Sequence, residues 1–227
     1  MGISEALKDP TAPSEVTVNG SSHVNRGIYQ TIKRPLDAVG AIIGITIMIP
    51  LFTIIAILIK LEDPKGNIFF SQTRVGKNGR EFQMYKFRSM VTDAEKQITK
   101  LSKHNEIEGH MFKMKNDPRV TCIGRVIRKM SLDELPQLWN VVKGDMSLVG
   151  PRPPLPCEVK NYTAYHRQRL QVTPGCTGLW QVSGRNRLNF EQMVELDLRY
   201  IRRQSFKLDA IIMLKTVKEI FASNDAY

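Results

Sequence analysis

Ala38-Val39-Gly40-Ala41-Ile42-Ile43-Gly44-Ile45-Thr46-Ile47-Met48-Ile49-Pro50-Leu51-Phe52-Thr53-Ile54-Ile55-Ala56-Ile57-Leu58-Ile59 is an almost unbroken apolar run, and its reading decides the fold. At about 22 residues it is long enough to cross a bilayer as a helix. It is apolar on every face, which in a chain of formal charge +11 favours lipid over a protein core. Two features argue against a simple crossing. Pro50 sits near the centre and removes a helical hydrogen bond, and both flanks are basic, with Arg26, Lys33 and Arg34 before and Lys60, Lys65, Arg74 and Lys77 after. Positive flanks stay on the cytoplasmic side, and one crossing cannot keep both there. A hairpin-like helix that enters one leaflet, bends at Ile49-Pro50 and returns satisfies both.

Upstream of this run, residues 1–27 are rich in Ser, Thr, Pro, Asn and Gly without a period and read as a disordered tail. No secretory layout is present, because the apolar run begins late and no small-residue cleavage site follows it. Downstream, 67–75 and 80–88 read as strands around Gly76-Lys77-Asn78-Gly79, and Asn-Gly between such runs is a strong hairpin signal. In the second strand, alternation puts Lys86 and Arg88 on one face, as solvated charges or as a phosphate clamp. Residues 92–104 carry helical spacing with alternating charge, and 124–130 form a short basic helix.

That basic helix leads into Ser131-Leu132-Asp133-Glu134-Leu135-Pro136-Gln137, two adjacent carboxylates with Arg125, Arg128 and Lys129 before them and Arg152 after them. One reading is structural: Ser131-x-x-Glu134 has the spacing of a capping box, and acidic residues suit a helix start. The other is chemical. Carboxylates among cations suit diphosphate chemistry, with a hard oxygen-bound cation such as magnesium offsetting phosphate charge and an anionic oxygen able to attack phosphorus. With Ser131 as the N-cap, Pro136 falls just beyond the first turn and costs a backbone bond, so an irregular start is expected. Beyond it, Gly150-Pro151-Arg152-Pro153-Pro154 is stiff and extended, which fixes Arg152.

Residues 158–170 read as a helix and 173–185 as a glycine-punctuated loop around one short strand. Asn189-Phe190-Glu191-Gln192 offers a capping box for a helix to about Arg203. The last helix, 206–221, places Phe206, Ala210, Met213, Val217, Ile220 and Phe221 on one side, facing either the core or a lipid interface. Cys122, Cys157 and Cys176 are odd in number and lack metal-ligand spacing, so no zinc site or disulfide framework is expected. The four histidines are scattered. Aromatics are not interleaved with basic residues in any stretch that reads as a nucleic-acid motif, so no nucleic-acid partner is expected and an anionic membrane face or a phosphorylated substrate ranks ahead of one.

Taken in order, Lys33-Arg34-Pro35-Leu36-Asp37, the proline-broken apolar run, Tyr85-Lys86-Phe87-Arg88-Ser89-Met90, Ser131 to Gln137 and Gly150-Pro151-Arg152-Pro153 resemble the bacterial sugar transferases called monotopic polyprenyl-phosphate phosphoglycosyl transferases. The similarity runs from about residue 30 to the C-terminus. Pro174-Gly175 through Gly178-Leu179-Trp180-Gln181-Val182-Ser183-Gly184-Arg185 and on to Leu208-Asp209 is similar to the exopolysaccharide-initiating branch that transfers hexose 1-phosphate.

The resemblance implies an α+β, mainly helical fold: a re-entrant membrane helix hairpin (28–60) and a cytoplasmic-face catalytic domain (61–227) with a small β-hairpin and amphipathic interfacial helices. It implies transfer of a sugar 1-phosphate from a UDP-sugar to polyprenyl (undecaprenyl) phosphate with release of UMP, at the inner membrane of a bacterial cell. It makes Asp133 the nucleophile and a magnesium (Mg2+) ligand, Glu134 its partner, and Arg128 and Arg152, supported by Lys86, Arg88 and Arg74, the phosphate or nucleotide contacts. Asp209 matches an acidic position of the family. Membrane lipid is a further partner and a homodimer a possible assembly.

Overall fold

In the computed structural model the described residues are 21–94, 97, 114, 117–184 and 188–222. Residues 1–20 of the tail expected over 1–27, and most of the expected helix at 92–104, lie outside them. Helix α1 runs Ser21–Glu62, so it begins ahead of the boundary drawn from composition at residue 28. It continues through Pro35 and Pro50 as one assigned helix. Thr46 and Thr53, either side of Pro50, turn their hydroxyls back onto the Ile42 and Ile49 carbonyls, a bonding that accompanies helix bending.

Most of α1 is not covered by protein: Ile47 is 65% exposed, Ile54 56% and Leu61 73%. Within its 36 residues from Gly27 to Glu62, only 11% of the most apolar window is buried. The covered stripe is narrow. Ala41 packs with Met84, Val141 and Met146, and a side chain at Gly40 would press on Leu148 at 3.0 Å. Further along, Ile55 and Ile59 join Phe87 and Ile127.

Strands β1 (Phe69–Val75) and β2 (Glu81–Phe87) pair antiparallel across the expected hairpin, and Asn78 and Gly79 both take positive φ, 57° and 78°. Then come α2 (Cys122–Lys129), a 3-10 turn (Leu132–Glu134) and α3 (Gln137–Lys143). Strand β3 (Ser147–Val149) pairs parallel with β4 (Gly175–Thr177), a pairing between segments that show no strand alternation of their own. The helix expected over 158–170 is broken into α4 (Pro156–Lys160), α5 (Ala164–Arg167) and a 3-10 turn (Gln168–Gln171). Helices α6 (Phe190–Arg203, capped by Asn189) and α7 (Phe206–Ala222) close the fold as expected.

Both ends of α1 are fastened to this one body. Before the apolar run, Lys33 pairs with Asp209 at 2.6 Å, and Arg34 donates to the Val141 and Val142 carbonyls at the end of α3. Asp209 also accepts from the Tyr29 and Tyr200 hydroxyls, each at 2.8 Å, so it ties α1, α6 and α7 together. After the run, Glu62 accepts from the Cys122 and Ile123 N–H groups that begin α2, and Asp63 pairs with Arg88. The buried face of α7 is Asp209 and Ile212 with Leu208 half-buried beside them, whereas Phe206, Met213 and Val217 of the apolar side read from sequence are exposed.

Candidate active site

The carboxylate pair is presented by a local irregularity. Helix α2 ends at Lys129, and Ser131 then adopts a left-handed conformation at φ 55°; a non-glycine residue there costs about 1–3 kcal/mol and such strain clusters at functional sites. The Ser131 side chain makes no cap bond, so the capping box read from the sequence does not form. Leu132 turns into the cluster with Ile55 and Phe87, and Asp133 is left buried at 7% exposure, lining a cavity. The true helix starts only after Pro136, the irregular beginning that the proline demands.

The cavity, about 210 Å³, is lined by Asp133, Glu134, Lys86, Arg128, Arg152 and Arg74, together with Ser131, Gln137, Trp180 and Gln181. Of the site residues named from sequence, all but Arg88 converge here. Arg88 follows the end of β2, where the alternation stops; it is 9% exposed and binds the Asp63 carboxylate and the Asp63 carbonyl. The structure thus places it as a clamp on the exit of α1, outside the cavity that gathers the other residues named with it. The space around it is tight enough that a side chain at Gly66 would collide with its guanidinium.

Electrostatics divides the two carboxylates. Glu134, nearly half exposed, pairs with Lys86 at 2.6 Å. Burial pushes Asp133 up to about 6, with Lys86 and Arg128 opposing and Glu134 adding to the rise. Arg74 is pulled down to about 10, first by burial and then by the nearby Arg152. It donates to the Pro153 carbonyl and to Gln72, while its Nε has no partner. Arg152 faces Glu158 at 3.6 Å, an ion pair longer than a hydrogen bond. Its own carbonyl accepts from Arg169, which is locked in a fully buried pair with Asp197 at 2.7 Å.

Three features were missed from sequence. Asn140, wholly buried, accepts from the Tyr85 N–H and donates to the Gln83 carbonyl, which pins β2 and its Lys86 against α3. Trp180 and Gln181 line the cavity within a segment read as turn chemistry; a Trp-Gln pair between two glycines was the available signal. Cys176 also lines it, with burial pushing its thiol up.

Residues 28–223 match the family described as bacterial sugar transferase. The chain belongs to that family. It is 49% identical over 197 residues to a galactosyl transferase, CpsE, of Streptococcus agalactiae, covering 86% of this chain and 43% of that protein. It is 42% identical over 200 residues to the undecaprenyl-phosphate galactose phosphotransferase of Salmonella typhimurium, covering 86% and 42%. It is 38% identical over 206 residues to the exopolysaccharide production protein ExoY of Rhizobium meliloti, covering 89% and 91%. The chain thus spans less than half the length of the first two relatives and nearly all of the third.

In this member of the family, the donor set would suit magnesium of a particular kind. Among the described residues no cluster of three or more acidic, His or Cys side chains gathers. Adjacent carboxylates, one of them a buried anion whose charge is disfavoured, match a cation held through one or two carboxylates and the phosphates of a substrate. Such a cation would be held through Asp133.

Proposed function

We propose that this chain moves a sugar 1-phosphate from a UDP-sugar to polyprenyl phosphate, releasing UMP, as the first membrane step of a bacterial polysaccharide or related glycoconjugate. The observation that carries the reading is one cavity that gathers a buried carboxylate and four cationic side chains beside an apolar helix. The names of the Salmonella and Erwinia relatives, a phosphotransferase on undecaprenyl phosphate and a UDP-galactose-lipid carrier transferase, support donor and acceptor alike.

An oxygen of Asp133 attacks the phosphorus that carries the sugar. The bond from that phosphorus to the bridging oxygen breaks, UMP departs, and an aspartyl phosphosugar remains. A phosphate oxygen of the lipid then attacks the same phosphorus and frees Asp133, leaving a polyprenyl-diphosphate sugar. Arg128 and Arg152 hold the phosphates, Arg74 stiffens the Arg152 segment through the Pro153 carbonyl, and Lys86 keeps Glu134 oriented beside the acceptor. Magnesium, when bound, offsets the diphosphate charge. In phosphoryl transfer such positioning and charge stabilisation supply most of the acceleration.

The membrane reading is that α1 enters the cytoplasmic leaflet of the inner membrane and returns at Pro50, with the catalytic domain on the cytoplasmic face. Its support is mechanical: Lys33 and Arg34 before the apolar run and Glu62 and Asp63 after it bind one and the same body. The test of function is UMP release from UDP-hexoses with magnesium and polyprenyl phosphate. Wild-type protein turns over, and Asp133→Asn does not; full activity in that variant rejects the nucleophile assignment.

A further inference from the structure

Helix α2 lies between the membrane helix and the cavity, and its faces are ordered. At 3.6 residues per turn, Ile123 and Ile127 fall on one side, packed with Ile55 and Ile59 of α1. Next around the helix come Val126 and Met130, which are 53% and 43% exposed and one turn apart. Then come Arg125 and Lys129, also exposed and also one turn apart, and finally Arg128, which lines the cavity. From α1 to the site the surface therefore passes from covered apolar, to open apolar, to cationic, to the guanidinium beside Asp133.

A solvated basic face would not need two large apolar residues between it and the membrane helix. A water-soluble nucleotide would gain nothing from them. The sequence of surfaces matches one class of molecule, a lipid with a long apolar tail and a phosphate head. We infer that the outer face of α2 is the docking surface for the acceptor, the isoprenoid chain lying against Val126 and Met130 along α1 while Arg125 and Lys129 pass its phosphate to Arg128. The inference deepens the function proposed above and rests on it.

Two readouts test it separately from that function. In the first, a short-chain prenyl phosphate binds the Asp133→Asn protein in neutral detergent, where no turnover is needed. The double variant Arg125→Glu/Lys129→Glu, made in that background, weakens binding about tenfold or more, and Val126→Ser/Met130→Ser weakens binding of longer prenyl chains more than shorter ones. In the second, with Asp133 restored, the double charge reversal raises the KM for the lipid but leaves the single-turnover UMP release from UDP-hexose alone unchanged. Unaltered acceptor binding in the folded charge-reversal variant overturns the inference. So does an equal loss in the donor-only step, which would assign these cations to the nucleotide. Failure of the wild type to release UMP from donor alone would instead count against the covalent mechanism and leave the binding readout standing.

Discussion

Asp133 is held where its charge is unwelcome until substrate arrives. Its folded-state value is raised, to about 6 from 3.8, so this group stabilises the fold only below its unfolded value and that contribution is lost as pH rises through about 6. A rise of about two units corresponds to about 3 kcal/mol near neutrality. Asp133→Asn is therefore expected to melt higher than wild type near neutral pH, with the difference shrinking through about pH 4 and closing near about pH 3, where both states are protonated; thermal scans across this range check this. The same carboxyl should give the single-turnover rate with magnesium an acid limb below about 6, because a bound cation favours the carboxylate. Replacing Arg128, one of the cations that lowers it, should move that limb to higher pH. At this scale the sequence picked out the carboxylates and cations that line the cavity, because charged side chains at fixed offsets are visible in a string. It could not separate Arg88 from Lys86, since two residues of one parity share a face only while the strand lasts, and β2 ends at Phe87.

Elements meet at the site through bonds that no local pattern announces. The Glu62 carboxylate serves as a cap for α2 from about sixty residues away in sequence, beside the Thr121 hydroxyl that bonds the Gly124 N–H. A side chain at Gly124 would stand 2.0 Å from the Ser89 carbonyl. Gly124→Val is accordingly expected to misplace α2 and abolish activity, whereas Glu62→Ala should cost about 1 kcal/mol of stability. Asn140→Leu removes both bonds to β2 and should cost about 2 kcal/mol or more, since buried amide and carbonyl groups are left unpaired. Arg88→Ala should lower the melting temperature with little change in donor KM, while Arg152→Ala should leave stability nearly intact and cut the rate about 10²-fold or more; steady-state kinetics beside thermal melts separates the two. The β1–β2 hairpin, α2, α6 and α7 were legible because turn chemistry, caps and helical periodicity are local. The parallel pairing of β3 with β4 and the breaks in 158–170 were not, because three-residue strands and tertiary turns carry no period.

For the molecule as a whole, a long exposed apolar helix is bonded at both ends to one folded body. Cysteines placed at Gly27 and Lys65, in a chain whose own three cysteines are replaced, are expected to be shielded together from an impermeant reagent outside the cell. Labelling of only one would mean that α1 crosses the membrane. The apolar run itself was plain in the sequence, and the basic flanks suggested why it should return. What the sequence hid is that those flanks are structural ligands: Lys33 and Arg34 spend their charge on Asp209 and on the carbonyls of α3, so these two positions that argued for topology also fasten α1 to α3 and α7.

The most direct measurement is mass spectrometry of the peptide carrying Asp133 after incubation with a UDP-hexose and magnesium, with no lipid present. A covalent hexose-phosphate increment on Asp133 that disappears when polyprenyl phosphate is added is the predicted result. An unmodified Asp133, under conditions in which the same preparation turns over briskly once lipid is supplied, would contradict it.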